Sequence, residues 1–574
     1  MSVSSLANDG GGARVLGRAA FPSPVVLVLL LILLLLVVPP VVFLVNVSLH
    51  ETAADGGLGA FTTRFYSQIL SERRFGESLL NTLIYALGSG AVGIAIGTVQ
   101  ALIVERTNAP GRRFAFYGAI MSLGVPHVLY VVAWLLLLGR SGPFNDFIAA
   151  LGGGGVDVYS MWGMILIEGV GFAPLTFLMM SAALGATDPS FEESSLMSGA
   201  GPLRTFSRVT LRMGMPAFLA LLLLVLIKAF ESFEVPALVG LAGNVDVLTT
   251  TIWQSAHATG TPNYGEAGAY SVCLVLIAMG LLAPQSRLAR DAHRYQSVTG
   301  KGFRPRVVDL GPWRNFAAAV LFALFLLVTI LPVAMLVFAS LQPFYEGVTL
   351  DSFSRLTLDN YAVLLEPGSF RDSILNTMIL GVSTATFVVP FTALCAWLAA
   401  RRARGAWMLD QLASAPLVFP ALILSVAFLD VFVNSPLPLY GTLLSIVIAS
   451  SVRFLPYGMR YAYAGALQIH PDLEDAAGLA GAGRARVFVR VLLPLLSASL
   501  IGSWLLVFLL SVQTVSLPLM LSGPGSEVMA VTLFELWQNG QATELAAMGV
   551  VWIAIMTTVS VVFHMTVKKR IVEA

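Results

Sequence analysis

The chain is short of charge. Of its 574 residues only 11% are Asp, Glu, Lys or Arg, less than half of the roughly 25% found in soluble domains. A soluble enzyme of this size is excluded on that ground. Disorder is excluded as well, because 57% of the residues are hydrophobic and the mean hydropathy is +0.83. The 33 basic and 32 acidic residues leave a net charge of +1, which argues against a dedicated nucleic-acid binder. Cysteine is almost missing. Cys273 and Cys395 both lie in apolar runs, so neither a disulfide framework nor a thiolate metal site follows from them. His50, His127, His257, His293, His470 and His564 are scattered and form no metal-ligand spacing. Lysine occurs only at 228, 301, 568 and 569, never after a glycine-rich turn and before Ser or Thr. A phosphate-cradling ATP loop is therefore absent.

What the chain does have is apolar length. A helix needs about 20 apolar residues to cross a bilayer. Twelve segments qualify, at roughly 25–47, 79–104, 114–138, 161–185, 215–238, 267–284, 315–338, 374–400, 408–432, 440–466, 493–515 and 545–567. They are too long for barrel strands of about ten residues, so the expected class is an all-α polytopic membrane protein. Residues 25–47 form 23 uncharged residues with no small-residue cleavage site behind them, which reads as a retained first span. Basic residues orient the bundle. Twenty-four of the 33 fall in connections on one side, Arg14, Arg106, Arg204, Arg304, Arg401 and Arg484 among them, and six fall on the other. The bias alternates correctly through all twelve segments and puts both termini in the cytoplasm.

The chain is also written twice. Tyr66, Asn81 and Thr82 recur as Tyr361, Asn376 and Thr377 at an offset of 295, and Pro126 recurs as Pro420 at 294. Beyond the glycine run 152–155 the offset becomes 282, pairing Pro174 with Pro456, Pro189 with Pro471 and Pro236 with Pro518. Two six-helix units of like orientation follow, at 25–284 and 315–567, flanked by tails 1–24 and 568–574 and joined by a basic linker at 285–314. A parallel repeat implies a pseudo-two-fold axis along the membrane normal with a path between the halves.

Each unit carries one loop of shared pattern between its fourth and fifth spans. The first reads Glu193-Ser194-Ser195 and then Gly199; the second reads Asp475-Ala476-Ala477 and then Gly481. The spacing describes a short helix with an acidic, small-residue first turn, a glycine-permitted bend, and a second helix leading into the next span. Small residues would let another protein approach the backbone closely. The bland alternative is an ordinary basic loop with a helical turn, but the pattern occurs twice at equivalent positions.

These loops resemble the EAA motif of binding-protein-dependent ABC importer permeases, and the resemblance extends over the whole chain as two fused permease units. The stretches 228–240 and 524–550 look most like the ferric-iron branch, a branch also associated with thiamine and 2-aminoethylphosphonate uptake. The resemblance implies that the loops are coupling helices docking on two ABC ATPase subunits, which would use ATP and Mg²⁺. It also implies a periplasmic solute-binding protein, an inner-membrane location, and a chain that is no enzyme and holds no cofactor. Departures are the serines after Glu193, Asp475 where the family has glutamate, and Arg212 where proline is usual. A secondary transporter driven by an ion gradient is the rival of another class; it would have no use for a repeated docking loop.

Ionisable residues inside a bilayer are costly and mark function by default. Here they are Glu168, Lys228, Glu231, Glu234, Arg453 and Arg460, with His127 and Asp430 nearer span ends. Glu231 and Glu234 are three apart and can face one way, as hard oxygen donors suited to a highly charged cation. Against this, Lys228 could neutralise Glu231 within the helix. Arg453 and Arg460 are seven apart and share a face suited to an anion, or they pair with Glu168 or with carbonyls near Pro456. Three acids balance three bases, so charge alone selects no solute. No residue is assigned a catalytic role and no metal site is firm.

Overall fold

The computed structural model describes residues 23–52, 58–185, 190–205, 208–209, 211–257, 263–291, 307–364 and 369–573. Most of the tail 1–24, the middle of the linker 285–314 and the landmark Pro189 lie outside the described residues.

All twelve apolar segments fall on helices. Seven helices are long and apolar enough to cross a membrane unaided: Pro24–Ser48, Arg73–Arg106, His127–Ala150, Met161–Gly185, Gly311–Ser340, Phe370–Ala400 and Ala542–Val559. Two bent pairs qualify jointly, Ala406–Val418 with Ala421–Val433 and Arg484–Ser497 with Ser499–Gln513. The remaining segments are Leu211–Glu231, Leu443–Gln468 and the shorter apolar helix Tyr264–Gly280. The first two carry Lys228, Glu231, Arg453 and Arg460. The only sheet among the described residues is a two-stranded antiparallel ribbon of His50–Thr52 and Leu58–Phe61. The outer surface is apolar where lipid would touch it: Leu31 and Leu35 on the first helix are 57% and 64% exposed. Helices tolerate this because every backbone polar group is satisfied within the segment.

Proline sets the principal irregularity, and does so twice. The expected span 114–138 is two helices, Arg112–Gly124 and His127–Leu138, parted by an extended Val125 (φ −81°, ψ 126°) before Pro126. The expected span 408–432 parts at Phe419 (φ −94°, ψ 117°) before Pro420, and its helices meet at 106°. A residue that precedes proline is driven out of the helical region, so equivalent prolines break equivalent spans.

The duplication is visible in the hydrogen bonds. Asn81 donates through its amide to the Asp246 carbonyl, and Asn376 donates to that of Glu527, both at 2.9 Å. The Thr82 hydroxyl oxygen accepts from the Leu248 N–H (2.9 Å), and that of Thr377 accepts from Met529 (2.8 Å). Each Asn-Thr pair thus caps the start of the short helix after the fifth span, Leu248–Ala256 or Met529–Gln538, satisfying an N–H that has no partner within its helix.

Candidate functional site

The two patterned loops fold alike. The first is a helix Ser190–Met197, a left-handed Gly199 and a turn of helix Pro202–Thr205; the second is Asp472–Leu479, Gly481 and Arg484–Val487. Both glycines have φ +85°, and a Cβ on either would meet nothing within 4 Å. Glycine is needed there for its backbone angle, not for space. The amide of the residue after each glycine closes the helix end: Ala200 N–H donates to the Ser195 carbonyl (3.1 Å) and Ala482 N–H to that of Ala477 (3.0 Å). Glu193, Ser194, Asp475 and Ala476 are exposed, while Ser195 and Ala477 are half-buried. The Ser195 hydroxyl meets that of Thr205 at 2.9 Å and ties the two arms of its elbow.

What anchors each elbow is the residue before the motif acid. Glu192 pairs with Arg106 at 3.2 Å, both side chains below 10% exposed, and Arg106 also donates to the Leu184 carbonyl. Glu474 pairs with Arg401 at 2.7 Å and accepts from the Trp397 indole N–H at 3.0 Å. Arg106 and Arg401 end the second span of their halves. In the sequence both arginines belong to the basic connections, and neither glutamate stands out from its acidic neighbours. The signal was present, since Arg106 and Arg401 differ by 295 and Glu192 and Glu474 by 282. In the first half Glu105 is buried beside this joint, held by Arg112 (3.0 Å) and the Ser181 hydroxyl.

The elbows also display large apolar side chains to solvent. Met197 is 90% exposed and its counterpart Leu479 is 92% exposed; Phe191 and Leu473 stand exposed one helical face away. Large apolar side chains are thus exposed at matching positions of both elbows.

The intramembrane ionisable residues gather into a seam between the halves. Arg453, buried on helix Leu443–Gln468, donates to Glu231 of helix Leu211–Glu231 (2.6 Å) and to the Phe419 carbonyl freed at the Pro420 break (2.7 Å). Glu231 is thus paired across the halves with Arg453, while Lys228 lies beside Tyr457 with Glu231 also within its electrostatic reach. Gln513, the counterpart of Glu231, donates to the Leu123 carbonyl at the opposite break (3.3 Å). His127 Nε2 lies 2.9 Å from the buried Glu168, so Glu168 is taken by histidine and not by Arg453. Tyr85 donates to the Ser232 hydroxyl at 3.0 Å beside them. Glu234 is half-buried and, among the described residues, accepts a long bond from the Phe233 N–H (3.4 Å). Arg460 is exposed and outside the seam, so the two arginines do not form one anion cradle. Among the described residues no three of His, Cys, Asp and Glu come together as a metal site; the pair Glu231 and Glu234 is divided because Arg453 engages the first.

Comparison with known proteins places this geometry. A family of inner membrane components of binding-protein-dependent transport systems matches residues 93–347 and 388–573. A Haemophilus influenzae protein named for ferric transport is 26% identical over 482 residues, covering 80% of this chain and 74% of that one. The ferric transport system permease protein FbpB of Actinobacillus pleuropneumoniae is 26% identical over 509 residues, covering 86% and 72%. A Salmonella typhi protein named for 2-aminoethylphosphonate transport is 28% identical over 237 residues, 41% of this chain and 81% of that one. With the family pattern matched in both halves of a duplicated helical bundle, the chain belongs to the inner membrane components of binding-protein-dependent transport systems.

Proposed function

We propose that the chain is the fused permease of an ATP-driven importer of ferric iron. It would provide the membrane path, while separate subunits provide recognition and energy. In this reading two ABC ATPases, using ATP and Mg²⁺, dock under the two elbows on the cytoplasmic side. A periplasmic solute-binding protein delivers to the other face, and both termini are cytoplasmic. The observation that carries the reading is the duplicated contact surface: Met197 and Leu479, each at least 90% exposed, sit on elbows anchored by Arg106–Glu192 and Arg401–Glu474. A force applied at either surface reaches the end of a second-span helix through a short ion pair. The chain needs no nucleotide site of its own for this.

Ferric iron as the solute is supported by the relatives named for ferric transport over most of both chains. Seam charge selects no solute: Arg453 engages Glu231, His127 engages Glu168, and Lys228 balances Glu234 in number. The relative named for aminoethylphosphonate matches only one half-length unit.

The test uses the chain reconstituted in vesicles with its ATPase subunits and binding protein. Met197→Asp with Leu479→Asp is expected to abolish ATPase association and ATP-dependent iron uptake while insertion is preserved. Uptake driven by an ion gradient without the ATPases would overturn the proposal. Thermal stabilisation of the binding protein by aminoethylphosphonate or thiamine, and not by iron, would overturn the solute alone.

A further inference from the structure

A half-buried carboxylate near the end of a third span has only half its bonding. Asp430 sits on the helix Ala421–Val433, and Asn434 donates to its Oδ1 at 3.0 Å. Its Oδ2 is buried without a hydrogen-bond partner. Buried acceptors are nearly always bonded, and an unpaired charged one is especially costly. Beside it lies a cavity of about 150 Å³ whose apolar walls include Leu44, Val47 and Val426 and whose polar edge is Tyr264, Asp430 and Asn434.

Depth says what could fill it. Leu44 and Val47 close the first helix, Tyr264 opens the helix Tyr264–Asp291, and Asn434 follows the last turn of Ala421–Val433. All three are the helix ends opposite the basic elbows, so the cavity lies at the level of one leaflet's headgroups. Val433 and Val45 beside it are 58% and 41% exposed, as lipid-facing residues are. Among the described residues no lysine or arginine lines the cavity, so an anionic headgroup would meet Asp430 with no compensating cation. A primary ammonium instead supplies both the charge and the N–H donors that Oδ2 lacks. The size suits an aminoethyl tip entering from the bilayer and not a whole lipid.

We infer that this cavity is a binding site for an amine-headgroup phospholipid such as phosphatidylethanolamine, whose ammonium bonds Asp430 while its chains lie along the first helix. The site is independent of the transported solute.

Native mass spectrometry of the purified chain with its ATPase subunits tests this, titrating phosphatidylethanolamine, phosphatidylcholine and phosphatidylglycerol of equal chain length. The chain is expected to retain one phosphatidylethanolamine with about tenfold preference over the other two. Asp430→Asn removes the preference. Ala427→Leu, which keeps the carboxylate and fills the cavity, displaces the lipid; circular dichroism confirms that both variants are folded. Equal retention of phosphatidylglycerol by the wild type, or unchanged preference in both folded variants, would overturn the assignment.

Discussion

The two halves of this permease follow one plan and execute it with different chemistry. Each sends the end of its fifth span toward the broken third span of the other half. From the first half the contact is ionic, Glu231 to Arg453 to the Phe419 carbonyl; from the second it is a neutral hydrogen bond, donated by the Gln513 side-chain amide to the Leu123 carbonyl. The elbows differ in the same sense. The first is sealed, its Arg106–Glu192 pair only 7% and 9% exposed, whereas Arg401 and Glu474 are 18% and 15% exposed with Trp397 as a second donor. Duplication kept the positions of the contacts, and the residues filling them diverged. A pseudo-symmetric pore built this way has one stiff seam and one soft one.

The largest expected effect lies at the stiff seam. Glu231→Gln leaves Arg453 buried without its counter-charge, a loss of about 3–5 kcal/mol, read as a lower thermal midpoint in detergent. Replacing both partners, Glu231→Leu with Arg453→Met, is expected to recover most of that stability. If single and double variants were equally unstable, the ion pair would not be what joins the halves there. Changing Gln513→Glu, by contrast, places a carboxylate against the Leu123 carbonyl and lowers stability by about 1–3 kcal/mol.

At the elbows, Glu192→Gln is expected to reduce transport more than Glu474→Gln, because glutamine at 474 can still accept from Trp397. Uptake rates at equal membrane abundance decide this; equal losses would remove the asymmetry. Smaller still is a packing exchange. Gly97 faces Thr176 in the first half, and the equivalent positions are reversed as Thr392 facing Gly458. A Cβ on Gly97 would lie 1.9 Å from the Thr176 hydroxyl, so Gly97→Thr alone costs about 1–3 kcal/mol by overpacking. Gly97→Thr with Thr176→Gly copies the second half and is expected to restore the thermal midpoint.

The smallest effect concerns the linker, where the Val308 N–H donates to the Arg106 carbonyl at the end of the second span (2.8 Å). Asp309 accepts from the Gly311 N–H (3.0 Å) and from Asn108, and these bonds hold its carboxyl below the usual carboxylate range. A lowered value stabilises the fold above the ordinary range and loses that contribution as pH falls through it. Asp309→Asn should therefore speed exchange of the neighbouring Val308 amide at neutral pH and leave it unchanged in strong acid.

Helices, the two-fold repeat and the family were legible in the sequence because each rests on local regularities. Apolar length marks a span, and Gly199 and Gly481 end a helix in a conformation that other residues resist. The elbow pattern was legible for the same reason. Its anchors were not, since Glu192 and Arg106 are 86 residues apart and nothing local distinguishes Glu192 from Glu193. Arg453 was read with Arg460 or Glu168, but its partner is Glu231, 222 residues away in the other half. Sequence by itself determined which segments form helices and that the plan occurs twice, because those outcomes depend on local regularities; it did not determine where they break, since Pro126 and Pro420 part their spans while Pro174, Pro390 and Pro456 lie within continuous helices. Only the tertiary structure decided which buried charges meet, because in a low-dielectric interior a charge is paired by whatever folding brings within hydrogen-bond reach.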